Sequence, residues 1–336
     1  MNQWTPGEPL FHVVDPRQFD RPRLEGLVAL TEAARAMART REGALALQQR
    51  LAHRRAMLYF TQPSTRTFLS FNNPCHVLGM VTSEIRDPST SSEVKGETIE
   101  DSIRTFSAYV DVIIMRTWAE GLASRMARLM DTWPRPVPIV NAGSGRDLHP
   151  TQGLLDIYTL HLSFAKQGGI DGKVIGFMGD LRRGRTVRSL CYLLANYREV
   201  SLGFIAPEPF TLGDDIKAYL TEHGVPFWET DDLHQALPQL DAIYVTRLQS
   251  EHDAPGEASV IDYQRFSIGL AEMARLKPNG VVMHPLPRGA ELATAVDSDP
   301  RATYWRLERN GMWLRVALLL TILGEAQGFD GVPPLA

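Results

Sequence analysis

Cysteine is scarce in this 336-residue chain: only Cys75 and Cys191 occur, far apart, with neither a C-x-x-C pair nor Cys/His ligand spacing. That argues against a disulfide scaffold and a structural zinc site, and both thiols are expected as buried small hydrophobes. Long apolar runs are missing too, so no segment has the length of a membrane span. The opening residues MNQWTPGEPL carry no basic stretch followed by an apolar block, so the expected location is cytoplasmic. Neither charge sign dominates: 35 Lys and Arg stand against 39 Asp and Glu, for a net charge of −4. No global field therefore draws the chain toward nucleic acid or an anionic membrane, and any anion binding must be local. The Lys-Ser/Thr of a P-loop and the G-x-G-x-x-G of a dinucleotide fold are also lacking.

What is present is the composition of a soluble globular protein, 44% hydrophobic and 22% charged, in a chain long enough for two domains. Residues 24–52 carry helical spacing, enough for one or two amphipathic helices. The spacing then predicts a strand at 56–60, a helix at 98–110, a strand at 111–116, a helix at 121–130 and a short buried strand at 137–143. The second half repeats this grammar, with strands at 173–180, 200–207, 241–247 and 280–288 and helices from about Thr186 and near 213–222. Alternation of this kind means an α/β fold of two domains, each a parallel sheet flanked by helices, with the active site in the interdomain cleft. The first domain is expected over 1–152 and the second over 153–300, with the KQGGIDGK turn at 166–173 near the junction. A last helix at about 301–325 is expected to pack back onto the first domain.

Polar clusters gather where the strands end. After Met57–Phe60 come Pro63 and then Ser64, Thr65, Arg66 and Thr67, all able to donate hydrogen bonds. A helix starting here leaves its first N–H groups open beside three hydroxyls and a guanidinium, which suits a phosphate; an ordinary N-cap with a surface arginine reads the same way. Arg116 ends an apolar strand, NAGSGRDLHPTQ places His149 and Gln152 where the next helix begins, GDLRRGRT contains Arg185, and Arg247, Gln249 and HPLPR follow later strands. Taken singly, His149 is equally a helix-start residue and HPLPR equally a rigid proline turn. Their common placement at strand ends is the informative part.

Together, PSTRTFLSF, SSEVKGET, YVDVIIMR, NAGSGRDLHPTQ, GDLRRGRT, YVTRLQSE and MHPLPRGAEL resemble the aspartate/ornithine carbamoyltransferase family, over most of the chain from about Leu58 to about Gly324. HPLPR and T-R-x-Q resemble its aspartate branch; the ornithine branch carries a cysteine in the segment of His284–Pro287, where this chain has none. The resemblance implies a carbamoyl-phosphate-binding domain followed by an amino-acceptor domain. It implies that Ser64, Thr65, Arg66, Thr67 and Arg116 hold the phosphate, and that Thr67, Arg116 and His149 surround the carbonyl oxygen. Gln152 and the backbone carbonyls of Leu286 and Pro287 would accept from the carbamoyl NH₂, and Arg185, Arg247 and Gln249 would hold the carboxylates of L-aspartate. Ser91 and Lys95 would reach a neighbouring subunit's site, which implies a homotrimer with shared active sites. The implied product is N-carbamoyl-L-aspartate, in pyrimidine biosynthesis, with no metal and no cofactor. A different carboxylate-bearing amine as acceptor, or an anion-binding regulatory paralogue without activity, are the alternatives.

Several positions depart from the family pattern: Gln62 for a usual Glu, Phe68 for Arg, Thr117 for His, Ser144 for Asp, and Asn72, Asn73 and Pro74 where a helix generally continues with an acidic residue. Gln62 and Phe68 suggest an ion pair exchanged for neutral contacts. Proline inside a helix removes an N–H and crowds the preceding turn, at roughly 3 kcal/mol, so a kinked or shortened helix is expected at Pro74.

Overall fold

The computed structural model describes residues 9–87, 89, 92–145, 147–247 and 263–329. The chain divides into two compact units, one of residues 1–155 with 308–336 and one of residues 156–307.

In the first unit, helices α1 (Arg21–Met37) and α2 (Arg41–Arg50) precede β1 (Arg55–Phe60). Asp20 and Thr40 cap the two helices by accepting from Arg23 and Gly43 N–H groups. Then come α3 (Thr65–Val77), β2 (Val81–Ile85), α4 (Ile99–Ser107), β3 (Val112–Thr117), α5 (Leu122–Asp131), β4 (Ile139–Ser144) and α6 (Pro150–Phe164). The strands form a parallel sheet in the order β2-β1-β3-β4. Every residue of β3 and β4 is buried, and each opens on an apolar run before its polar end. Met57, Tyr59, Ile113, Met115 and Ile139 pack against Ile103 of α4 and Met126 and Met130 of α5. The edge strand β2, VTSEI, is largely exposed and lacks the apolar alternation that would have revealed it in the sequence.

The second unit adds β5 (Val174–Met178), α7 (Arg185–Leu194), β6 (Ser201–Ile205), α8 (Asp214–Glu222), β7 (Phe227–Thr230), α9 (Leu233–Ala236), β8 (Ala242–Val245), α10 (Leu270–Arg275) and β9 (Val281–Met283). The sheet is again parallel, ordered β7-β6-β5-β8-β9. β7, FWET, is the other strand absent from the sequence reading, and it too is an edge. Helix α11 (Tyr304–Ile322) is the last helix among the described residues, and the divisions between units fall within α6 and within α11. Cys75 and Cys191 are fully buried, and burial pushes the Cys75 thiol up to about 12, so neither offers a reactive thiolate. Among the described residues no helix is long and apolar enough to cross a membrane.

The expected shortening at Pro74 does not occur. α3 runs through it to Val77, and the Leu78 N–H donates to the Pro74 carbonyl at 3.1 Å. The Asn73 side-chain amide donates to the Leu69 carbonyl at 2.8 Å, adding one bond in the turn where proline supplies no N–H.

One glycine fixes the second unit's central loop. Gly179 follows β5 with φ +123°, and a Cβ there would collide with the carbonyl oxygen of Thr246. Thr246 in turn donates its N–H to the Met178 carbonyl at 2.7 Å, so the two loops lie backbone against backbone. Gly179→Ala is expected to destabilise the protein by more than about 1 kcal/mol, read as a lower denaturation midpoint.

Candidate active site

Parallel register decides which side chains of the first unit share an edge. Phe60 lies opposite Arg116, and Met115 opposite Asn141, so β1, β3 and β4 end together and their following loops leave from one side of the sheet. The loop after β1 is tied down by the Gln62 N–H, which donates to the Arg116 carbonyl at 3.2 Å. It leads into α3, where Ser64 is the N-cap: its Oγ accepts from the Thr67 N–H at 3.4 Å and lies 3.0 Å from the Thr67 hydroxyl. Thr65 and Arg66 are exposed in the first turn, at the positive end of the helix dipole.

Arg116 is buried to 7% exposure, and its Nη1 donates to the Ala142 carbonyl at 3.0 Å. The β3–β4 register slips between Met115 and Thr117, which inserts one extra residue on the β4 side opposite Arg116. A bulge of this kind turns a carbonyl out of the ladder and makes it available to a side chain. Asn141 supports the bulge, its Oδ1 accepting from the Gly143 N–H at 2.8 Å. Beyond it, Ser144 pairs with Leu148, and His149 follows, 4% exposed. The His149 carbonyl accepts from Gln152 at 2.9 Å and from Gly153 at 3.3 Å, so His149 starts α6 through its backbone while its imidazole remains a separate group. Helix start and candidate catalytic residue are compatible roles.

A buried guanidinium that sequence reasoning missed joins these pieces. Arg315 on α11 is 2% exposed; it donates to Ser70 Oγ on α3 and, at 3.2 Å, to Thr151 Oγ1 on α6, and it covers the Phe71 ring at 4.6 Å. The helix bearing Ser64 to Thr67 and the helix bearing Gln152 are thus fixed to one planar group. Glu308, also on α11, lies 3.9 Å from Arg66. Burial pushes its carboxyl up, against the pull of Arg315 and Arg66. The only sequence signal for Arg315 is a charge between Leu314 and Val316 in an otherwise apolar stretch.

The departures from the family pattern are accommodated locally. Phe68 packs edge-on against Phe60 with centroids 5.5 Å apart, and the Arg86 guanidinium sits 4.4 Å over its ring. Phe68 thus has the expected neutral contact and a cation–π contact besides. Gln62, Thr117 and Ser144 are all buried.

The second unit has its own edge. Met178 pairs with Val245 and Tyr244 with Met283, aligning the ends of β5, β8 and β9. Asp180, fully buried, accepts from the Arg183 N–H at 2.9 Å and organises the loop that delivers Arg185 to the start of α7. Burial lowers the Arg185 guanidinium to about 10, a direction that an arriving carboxylate would oppose. Arg247 is half-buried just past β8, and the Tyr244 hydroxyl on that strand donates to buried Asp156 at 2.9 Å. After β9, Leu286 has φ +53° and precedes a cis peptide to Pro287. Ser91 and Gln249 lie outside the described residues, and Lys95 is exposed at the end of a short 3₁₀ turn over Ser92–Lys95. Among the described residues no group of three or more His, Cys, Asp or Glu side chains is arranged to hold a metal ion.

Residues 12–162 match the family model described as "Aspartate/ornithine carbamoyltransferase, carbamoyl-P binding domain", and residues 171–322 match its "Asp/Orn binding domain". The chain is 40% identical over 316 residues to aspartate carbamoyltransferase 1, chloroplastic, of Pisum sativum, covering 93% of this chain and 78% of that protein. It is 42% identical over 269 residues to the aspartate carbamoyltransferase catalytic subunit of Thermococcus gammatolerans, covering 80% of this chain and 84% of that one. Among solved structures it is similar to the Trypanosoma cruzi aspartate transcarbamoylase in complex with carbamoyl phosphate and aspartate, with a TM-score of 0.82, 34% identity, and coverage of 93% and 96%.

The arginine of HPLPR is bound within its own unit. Arg288 pairs with Asp297, donating to Oδ1 and, at 2.8 Å, to Oδ2; Tyr304 donates to Oδ1 at 2.5 Å. These bonds, Arg288 foremost, hold the Asp297 carboxyl at about 2, below the usual 3.8. Because the folded value is depressed, its contribution to stability is present above about pH 4 and is lost as pH falls toward 2. Asp297→Asn is expected to lower the thermal midpoint at pH 7 and to flatten its decline between pH 4 and pH 2.

Proposed function

Because the chain belongs to the aspartate/ornithine carbamoyltransferase family, we propose that it transfers the carbamoyl group of carbamoyl phosphate to the amino group of L-aspartate, giving N-carbamoyl-L-aspartate and phosphate in pyrimidine biosynthesis. The observation that carries this reading is the 34% identity, over 93% of the chain, to an enzyme solved with both substrates bound. The residues fit the chemistry.

A phosphate dianion needs N–H groups and guanidiniums, and the start of α3 with Arg66 and Arg116 supplies them. The aspartate amine attacks the carbamoyl carbon with its lone pair. The new C–N bond forms, the C–O bond to phosphate breaks with its electrons leaving on oxygen, and the amine proton departs with the phosphate. Negative charge grows on the carbonyl oxygen in between, where Thr67, Arg116 and His149 donate; Gln152 with the carbonyls of Leu286 and Pro287 accepts from the NH₂. Arg185, Arg247 and Gln249 take the two carboxylates of aspartate. Positioning and electrostatics supply the rate in this scheme, since the amine is the nucleophile and phosphate the leaving group. Ser91 and Lys95 act in a neighbouring subunit's site, and the assembly is a homotrimer. The exposure of Lys95 in this chain supports that assignment, because the residue is available to another copy.

A panel of amines incubated with carbamoyl phosphate, scored by phosphate release and ureido product, is expected to show aspartate preferred by a wide margin; equal turnover of other amines would remove aspartate as the acceptor. In the same assay Arg116→Ala should lower kcat by roughly 10²-fold or more. For the shared site, chains carrying Lys95→Ala mixed with chains carrying Arg66→Ala should regain activity that neither has alone. Absence of complementation would leave each site to a single chain.

A further inference from the structure

His284 is quoted in the HPLPR motif but has no part in the scheme above, and its surroundings are unusually well defined. It lies directly after β9, 1% exposed. Its Nδ1 accepts from the backbone N–H of Leu286 at 2.8 Å. A backbone N–H can only donate, so Nδ1 carries the lone pair and the proton sits on Nε2. That Nε2 lies 2.9 Å from Oε1 of Glu291, itself 8% exposed, and donates to it. The same carboxylate oxygen accepts from the Gly289 N–H at 2.6 Å, and the Glu291 backbone carbonyl accepts from Ile268 at 2.9 Å. Burial raises the Glu291 carboxyl, but the His284 bond and the Gly289 N–H outweigh it and hold the group below its ordinary range. Glu291 is therefore an acceptor that fixes both the tautomer and the ring plane of His284.

The bond from Leu286 falls on a residue that needs holding. Its φ of +53° is a conformation that L side chains rarely adopt, and it sets the direction of the peptide that follows. One imidazole lone pair, aimed by one buried carboxylate, secures that backbone.

We propose that His284, oriented by Glu291, is a specificity-determining positioning residue that aims the carbonyls of Leu286 and Pro287 at the amino group of carbamoyl phosphate, so that a carbamoyl phosphate is chosen over an acyl phosphate. The inference rests on the reading that these two carbonyls accept from the NH₂. A site built around acceptors leaves them unsatisfied when a methyl group replaces the donor, and so rejects the analogue strongly. Acceptors that are free to turn away reject it weakly.

The test compares KM for carbamoyl phosphate with the inhibition constant of acetyl phosphate, in which a methyl group replaces the amino group. Wild type should favour carbamoyl phosphate. His284→Leu should cut that preference by roughly tenfold or more, through carbamoyl phosphate, while acetyl phosphate shifts by less than about twofold. His284→Asn should retain most of the preference, because an Asn side chain accepts from the N–H two residues on. Equal weakening of both ligands in His284→Leu, or an unchanged preference, would overturn the proposal and leave His284 a purely structural residue. Absence of any preference in wild type would instead overturn the assignment of the Leu286 and Pro287 carbonyls. Should His284→Leu fail to fold, Glu291→Gln carries the test: a preference lowered by about threefold or more supports the proposal, and one identical to wild type overturns it.

Discussion

The burial of guanidinium groups is a constraint that recurs in both units, at a strand end in Arg116, at a helix start in Arg185 and within a helix in Arg315. An arginine cannot shed its charge, so a buried one must be met by carbonyls, hydroxyls or an anion. Arg116 is met by a carbonyl that a bulge has released from the ladder, and Arg315 by two hydroxyls and a ring face. Arg185 is desolvated at the start of its helix. At Arg116 the local backbone is shaped around the cation, and the register of β1, β3 and β4 sets which strand ends share its edge. For the chemistry proposed, Arg116 and Arg185 offer charge that is already largely desolvated, while Arg66 and Arg247 stay in reach of solvent.

Much of that plan could be read from the residues themselves. Strands β1, β3 and β4, and their counterparts β5, β6 and β8, are buried on both faces and so appear as short apolar runs ending in polar letters. Ser64 caps α3 as its side chain predicts. Two of the four described edge strands were harder. β4 and β9 are edges but wholly buried, whereas β2 and β7 are partly exposed, carry Ser, Thr or Glu, and show no signal that separates them from loop. The shortening expected at Pro74 is absent for a different reason. Proline still removes one N–H from the helix, but here its ring is buried and Asn73 adds a bond to the preceding turn.

Among the candidate site residues, those placed where strands give way to loops and helix starts were visible in the sequence as polar clusters, such as Ser64 to Thr67 at the start of α3. The supporting residues were not. Arg315 depends on Ser70 and Thr151, each far from it in sequence, and Glu291 means nothing until His284 is seen to have one nitrogen committed to Leu286. Such partners are defined by tertiary distance alone. Phe68 lies between the two cases: the sequence marks it as an exchange, but only the Arg86 guanidinium above its ring reveals what replaced the charge.

The first unit is assembled from two separated stretches of the sequence, with residues 308–336 completing what residues 1–155 begin, while the second is one uninterrupted stretch between them. Synthesis therefore delivers the parts out of order. A nascent chain emerging from the ribosome exposes Ser70 and Thr151 long before Arg315 exists to bridge them, so the earlier half must wait, unsealed, through the entire translation of the later one.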